Sequence, residues 1–301
     1  MEETIRVTEE EAGERIDKYL ADMLDHSRST IQAMIKAETI QVNQRTTKPN
    51  YRIKTDDVID VAEIEEEEQI IEAEDIPLTI VYQDADIVVI DKPVGLVVHP
   101  GAGNPSGTLV NALLFHIQDL QAIKGEIRPG IVHRIDKETS GLLVVAKHAK
   151  ALQHLSDQMK HKTAHRTYVA LVDGVIPHNL GKIDAPIGRD PKNRQRMAVV
   201  EGGKDAVTHF RVLERFTDNT LVECKLETGR THQIRVHMSY INYPLVGDPK
   251  YGRRKTDTTH GQFLHATELT FVHPTTDEEL TFTSELPPYF TTYLEDLRHH
   301  G

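Results

Sequence analysis

Hydrophobic positions recur in two regimes along the chain, one on either side of an acidic run. In the first regime Ile16, Tyr19, Leu20, Met23 and Leu24 fall at helical spacing, and after Ser27-Arg28-Ser29 a second helical stretch presents Ile31, Met34 and Ile35. Ile40-Gln41-Val42-Asn43 and Val58-Ile59-Asp60-Val61 alternate as short strands. Two small helices and short strands predict an α+β module of about 50 residues, near the lower limit for a self-sufficient core. The acidic run, EIEEEEQIIEAED over 63–75, ends at Ile76-Pro77 and is a compositional break of the kind that separates domains.

Beyond it the period changes from helical to alternating. Short β-like runs at 78–82, 87–90, 142–146, 168–172, 207–213, 221–226 and 269–271 are bounded by Gly, Pro, Asp or Asn. A helix is predicted over 148–161, carrying Leu152, Leu155 and Met159 on one face. Another is predicted over 232–241, capped by Thr231, with Ile234, Met238 and Ile241 inward and a stop near Pro244. Strands outnumber helices and do not alternate regularly with them, so the large domain is expected to hold a mixed, mainly antiparallel sheet flanked by helices. The predicted division is an acidic N-terminal tail (1–12), a small α+β domain (13–61), an acidic linker (62–76) and a large α+β domain (77–301).

Composition places the chain among ordinary globular proteins: 301 residues, 38% hydrophobic, 27% charged, no tryptophan. Its single cysteine, Cys224, forms no internal disulfide and points to a reducing compartment. The start Met1-Glu2-Glu3-Thr4 is acidic where a signal peptide is basic, and no apolar run approaches the roughly 20 residues of a membrane span. The expectation is a cytoplasmic protein without a membrane partner. A net charge of −12 argues against nucleic acid only until it is located. Residues 1–12 hold five acids against Arg6, and 61–75 hold eight acids and no base. The 13–60 segment balances eight acids with eight bases, and 76–301 balances 26 with 26, so a local basic groove is fully compatible with the total.

Cofactor signatures fail on inspection. Gly101-Ala102-Gly103-Asn104-Pro105-Ser106-Gly107 misses dinucleotide spacing, and Gly202-Gly203-Lys204 lacks the Ser or Thr of a phosphate loop. Seventeen histidines invite a metal, yet His161/His165 and His232/His237 have no acid at a recognised ligand spacing, so no metal is expected. Three polar features in apolar surroundings remain. Asp136 sits in a loop over 130–141, either as a functional carboxylate or as a cap on the Thr139 or Ser140 amide. Tyr168 lies in an alternating strand, either as a core tyrosine or as a pocket residue. Arg230 and Arg235 flank a helix start, either as surface charge or as partners of an anion or carboxylate.

Two ordered sets of motifs carry a resemblance. Gly13-x-Arg15-Ile16-Asp17-Lys18-x-Leu20, Ser27-Arg28-Ser29 and Ile40-x-Val42-Asn43 resemble the S4 RNA-binding domain. Three positions where that domain carries glycine hold Glu38, Gln44 and Asp56, which adopt positive φ at greater cost. Asp91-Lys92-Pro93-x-Gly95-Leu96-x-x-His99-Pro100, His133-Arg134-Ile135-Asp136, Tyr168-x-Ala170-Leu171-Val172, Pro186-Ile187-Gly188-Arg189, Gly229-Arg230-Thr231-His232-Gln233-Ile234-Arg235, Gly247-Asp248-x-x-Tyr251-Gly252 and Leu264-His265-Ala266 resemble the RluA family of pseudouridine synthases. With the S4-like module in front, the likeness is to the branch acting on large-subunit ribosomal RNA.

The resemblance implies roles. Asp136 matches the catalytic aspartate, which acts on the uridine ribose so that the bond to N1 breaks and the base rejoins through C5. Arg235 matches the basic residue that keeps this carboxylate charged in a dry pocket, by a bidentate contact. Tyr168 matches the tyrosine that stacks on the detached uracil and serves proton chemistry at C5. The target must leave the RNA stack, and Arg134, beside Asp136, suits the vacated space. His133, Arg230, the loop cluster Arg189, Lys192, Arg194 and Arg196, and on the small domain Arg15, Arg28 and Lys36 are the implied RNA contacts. An isomerisation consumes no cofactor, and none is expected; the expected partner is large-subunit ribosomal RNA, free or in pre-ribosomal particles, bound by a monomer. A non-catalytic RNA-binding factor on a degenerate synthase fold is the alternative, as is a histidine-rich metal hydrolase. The first predicts loss of the Asp136, Tyr168 and Arg235 trio, which is intact.

Overall fold

A computed structural model describes residues 3–24, 26, 28–62, 71–101, 103–117, 120, 130–193, 195–254 and 256–300. The chain divides into Met1–Gln69 and Ile70–Gly301. That division falls inside the acidic run, whose residues 63–70 lie outside the described set.

The first unit contains β1 (Glu3–Arg6), α1 (Ile16–Met23), α2 (Arg28–Lys36), β2 (Ile40–Val42), β3 (Arg45–Thr46) and β4 (Val58–Val61). Its antiparallel sheet has the order β1-β4-β2-β3. The helical faces read from sequence supply the core, with Ile16, Leu20, Ile31 and Ile35 buried against Ile40 and Ile59. One expectation is corrected: residues 1–12 are no simple tail, because β1 pairs with β4 in register Ile5 opposite Ile59. The charge of this segment hides its alternation, in which Ile5 and Val7 are the buried residues.

Glu38, Gln44 and Asp56, the departures from glycine, have φ of 62°, 62° and 67°, so the turns keep left-handed geometry with side chains in place. Asn43 and Gln44 form the two-residue connection of β2 to β3, with both φ positive as a type I′ turn requires. Gln44→Gly is therefore expected to stabilise this unit by about 0.5–1 kcal/mol. Slower amide exchange of Val42 in the full-length protein checks it.

Asp17, fully buried, accepts from Arg15 Nε and Nη2 (3.0 and 2.9 Å), Arg28 Nη2 (3.1 Å) and Gln32 Nε2 (2.7 Å). The Arg15 hydrogen bonds lead in holding its pKa below the ordinary 3.8, against the opposing effect of burial. A folded-state pKa below the unfolded one gives stability that is fully present above 3.8 and is lost progressively as pH falls from there to the lower folded-state value. Amide exchange in α1 and α2 is expected to accelerate below about pH 4, and Asp17→Asn to flatten that dependence. The guanidinium groups of Arg15 and Arg28 thus have an intramolecular anion, although both side chains stay substantially exposed.

The second unit runs β5 (Thr79–Gln83), β6 (Ile87–Lys92), α3 (Leu109–His116), β7 (Ser140–Ala146), α4 (Ala149–His161), β8 (His165–Asp173), β9 (Leu180–Asp184), β10 (Ile187–Arg189), β11 (Met197–Val199), β12 (Val207–Arg215), β13 (Asn219–Leu226), α5 (Gln233–Tyr240), β14 (Leu264–Val272), β15 (Glu279–Thr283) and α6 (Pro288–His300). The main sheet has the order β5-β6-β7-β14-β8-β13-β12-β9, with β15 also on β14. Among the described pairs only β7 with β14 is parallel, so the sheet is mixed and mainly antiparallel. Every residue of β7 is buried because both faces are covered. Leu143 and Val145 join the core cluster that holds Leu109 and Leu113 of α3, whereas Leu142 and Val144 join the one that holds Ala151 and Leu155 of α4.

Gly141 is where β7 meets β14: its φ is 112°, and a Cβ there would stand 2.4 Å from Ala266 O. A second correction concerns the linker. Its end packs onto α3, with Asn111 Nδ2 donating to Glu72 O (2.8 Å) and Gly107 N to Glu74 Oε1 (3.0 Å). No helix among the described residues is long and apolar enough to cross a membrane.

Candidate active site

Asp136 belongs to the loop that leads into β7. Alternate residues of that loop point opposite ways: His133 and Ile135 are buried, whereas Arg134 is exposed and Asp136 half-buried. The loop is tied down by Thr139 N donating to Asp136 O (3.1 Å) and Gly95 N donating to Lys137 O (2.9 Å). Beneath it Lys92, 0% exposed, donates Nζ–H to the carbonyls of Pro93 (2.7 Å), Leu96 (2.9 Å) and Lys137 (3.0 Å). Burial pushes the Lys92 pKa down to about 7, while three carbonyls match the three hydrogens of its ammonium form. The turn at Thr139 is thus made by the Asp136 carbonyl, and the carboxylate is left for other work.

That carboxylate meets Arg235 on the first turn of α5. Arg235 Nη1 donates to Asp136 Oδ2 at 2.7 Å, while Nε and Nη2 donate to Asp248 Oδ2 and Oδ1 at 2.7 and 2.9 Å. The bidentate contact expected at Asp136 is therefore made to Asp248, and Asp136 receives a single bond. The reason is burial: Arg235 is 4% exposed, and a guanidinium that deep needs its whole fork satisfied. Burial opposes the Arg235 charge, but Asp248 and then Asp136 outweigh it and raise its pKa. Burial likewise opposes ionisation of Asp248, and Arg235 with the Tyr251 and Lys250 amides holds its pKa below the usual carboxylate value.

Asp136 Oδ1 is left facing His232 Nε2 at 3.8 Å. The predicted 232–241 helix is Gln233–Tyr240, and its N-cap is His232 with φ 56°, not Thr231. The His232 side chain caps nothing; its Nδ1 lies 2.8 Å from Tyr251 Oη, and that oxygen accepts from Met197 N at 2.9 Å. Burial pushes the His232 pKa down to about 4, against Asp136 and with the help of Arg235 and Lys250.

A cleft of about 330 Å³ opens over this group, walled by Val98, His99, Arg134, Asp136, His232 and Lys250. A smaller pocket of about 70 Å³ adjoins it, lined by Asp136, Arg166, Tyr168, Arg230 and Leu264. Asp136, His232, Arg134 and Arg235 line both. Tyr168 is 4% exposed, and burial raises its pKa, with Arg166 opposing and Asp136 adding. The structure thus gathers Asp136, Tyr168 and Arg235 at one place.

The remaining candidates are dispersed. His133 is corrected: it lines neither of these two pockets, its ring is buried, and Nε2 accepts from Val144 N at 3.2 Å, so it packs the loop rather than meeting RNA. Arg230 is exposed and donates Nε–H to Asp205 O at 2.9 Å. Arg189 and Lys192 are exposed on the hairpin of β10 and β11, Arg194 lies outside the described residues, and the Arg196 guanidinium covers the Tyr251 ring at 4.9 Å. Lys36 is exposed at the end of α2.

Among the described residues, Asp84, Asp86 and His273 have metal-type donors within reach of one another, and His148 adjoins them. Nδ1 of His273 accepts the Thr275 and Thr276 amides, and Nδ1 of His148 accepts the Ala151 amide. Each ring therefore carries its proton on Nε2 and donates to a carboxylate, the reverse of a metal-ligating imidazole.

Residues 86–240 match the family model described as RNA pseudouridylate synthase, and residues 14–59 match that of the S4 domain. The chain belongs to the RNA pseudouridylate synthase family. The synthase is 53% identical over 298 residues to the RNA pseudouridine synthase YlyB of Bacillus subtilis, covering 99% of this chain and 98% of that one. It is 47% identical to the ribosomal large subunit pseudouridine synthase D of Pseudomonas aeruginosa, covering 95% and 92%. Among solved structures, human RNA pseudouridylate synthase domain containing 1 superposes with a TM-score of 0.60 at 26% identity, covering 75% of this chain and 96% of that one. Sequence reasoning assigned no role to Lys92, His232, Asp248 and Tyr251 in this synthase. All four stand inside the quoted motifs, but only the fold shows what each of them touches.

Proposed function

We propose that this synthase isomerises uridines of large-subunit ribosomal RNA, with Asp136 as its catalytic carboxylate. The observation that carries the reading is the asymmetry of that carboxylate: Oδ2 is held by Arg235, Oδ1 stands 3.8 Å from His232 Nε2, and Asp136 lines both the cleft and the inner pocket walled by Tyr168. In the reaction the C1′–N1 bond breaks, a C1′–C5 bond forms, the C5 proton leaves and N1 gains a proton, so the overall change needs no redox equivalent or group donor. Asp136 Oδ1 acts at the ribose, Arg235 supplies fixed positive charge, and Tyr168 packs on the uracil and takes part in the proton transfer at C5. The rRNA substrate is supported by the name of the Pseudomonas relative, which shares nearly the whole length.

A stacked uridine is out of reach and must swing out of the helix, and Arg134, exposed at the cleft mouth, fills the gap. Arg134→Ala is expected to lower kcat/KM about tenfold on a structured RNA and much less on an unstructured oligonucleotide carrying the same uridine. Steady-state assays on the two substrates check this. Arg189, Lys192, Arg194, Arg196 and Arg230 are assigned to phosphates, as are Arg15, Arg28 and Lys36 on the small unit, and the protein acts as a cytoplasmic monomer. The test is incubation of the full-length chain, without added cofactor, with unmodified large-subunit rRNA, followed by nuclease digestion and chromatography of the nucleosides. Pseudouridine is expected; its absence there, with turnover on another RNA, would reassign the substrate.

A further inference from the structure

The hydrogen bonds around His232 fix where its proton sits. Tyr251 Oη accepts from Met197 N–H at 2.9 Å, and the phenol's own proton then has His232 Nδ1, 2.8 Å away, as its acceptor. An imidazole that accepts at Nδ1 carries its hydrogen on Nε2, which faces Asp136 Oδ1 at 3.8 Å. The opposite tautomer would set the Nε2 lone pair against a carboxylate oxygen. Burial and the cations Arg235 and Lys250 disfavour the doubly protonated ring, although Asp136 and Asp248 favour it, and the net effect keeps the ring neutral. A separation of 3.8 Å is too long for a direct hydrogen bond, and it leaves a donor and an acceptor side by side on the cleft wall. One group satisfies both: a hydroxyl, which accepts from Nε2–H and donates to Oδ1.

We propose that His232, with its tautomer set by Tyr251, holds the ribose 2′-hydroxyl of the target nucleoside against Asp136 and so makes the synthase specific for RNA at the modified position. The 2′-hydroxyl is the sugar hydroxyl next to C1′, where the glycosidic bond breaks, and it is what separates ribose from deoxyribose. The inference rests on Asp136 being the catalytic carboxylate. In it, Tyr251 is a positioning residue acting through His232.

The test is a cycle of wild type and His232→Asn against RNA substrates carrying uridine or 2′-deoxyuridine at the target, read as single-turnover rates with RNA Kd measured alongside. Each single change is expected to cost about tenfold or more, and the second change to add little once the first is made. Losses that multiply would overturn the proposal. Two further variants separate a donor from a structural cap. Asparagine tolerates the left-handed backbone of position 232 better than glutamine, but only a glutamine amide reaches the place of Nε2. His232→Gln is therefore expected to be faster than His232→Asn, although a purely structural role gives the reverse order. Tyr251→Phe is expected to lower the rate about tenfold with Kd unchanged; an unchanged rate counts against the proposal. The wild-type comparison of uridine with 2′-deoxyuridine needs no variant, and equal rates on the two would sink the idea outright. Asp136→Asn, run in parallel, reports separately on the assignment beneath it: turnover there overturns the carboxylate reading, and its loss leaves the cycle to judge His232.

Discussion

Asp136→Asn is expected to abolish pseudouridine formation, lowering the single-turnover rate by at least about 10⁴-fold, while RNA Kd changes little. The substitution keeps the size of the side chain but removes the charge of a carboxylate that lines the cleft. The amide still accepts from Arg235 through its oxygen, so the pocket keeps its shape. The basic residues proposed to hold RNA phosphates lie on both units, and Asp136 is not one of them. Rapid-quench assays with enzyme in excess separate the two effects, because loss of binding is then overcome by concentration and loss of chemistry is not.

Asp248→Asn is expected to have the second largest effect, acting on stability and rate together. Asp248 is 1% exposed and is the bidentate partner of a guanidinium that is itself 4% exposed. Without its charge, Arg235 keeps only the single bond to Asp136 as a charged contact. Removing one member of a buried pair costs about 3 kcal/mol or more, and calorimetric unfolding of the full-length protein reads this directly. The rate is expected to fall by about 10²-fold, because a guanidinium freed from Asp248 no longer holds Asp136 Oδ2 in place. A variant with unchanged stability would mean that Arg235 finds its second anion elsewhere.

Legibility from sequence followed the physics of each element. The strand 142–146 was readable as a short unbroken apolar run between polar flanks, and the helix 148–161 by its helical spacing of Leu152, Leu155 and Met159. Helix α3, Leu109–His116, was not, since LVNALLFH is apolar on nearly every side and shows no face. Helix α6 was hidden behind Pro287 and Pro288, although proline suits a first helical position. Strand β1 was masked by acids around Ile5 and Val7. At the site, Asp136, Tyr168 and Arg235 were named from motifs, but which carboxylate the arginine forks was not: Asp248 lies 13 residues on, and only the fold brings it beneath α5. His133 and Asp136 are three residues apart on one loop, and the alternation that buries the first and presents the second depends on its entry into β7.

The central claim is that this chain rearranges uridine in large-subunit ribosomal RNA through the Asp136 carboxylate. The direct measurement is pseudouridine mapping of that RNA from cells lacking the protein and from the same cells supplied with wild type or Asp136→Asn. Defined pseudouridines are expected to disappear with the protein, return with wild type and stay absent with the variant. An unchanged map in the deletion, or sites restored by Asp136→Asn, would contradict it.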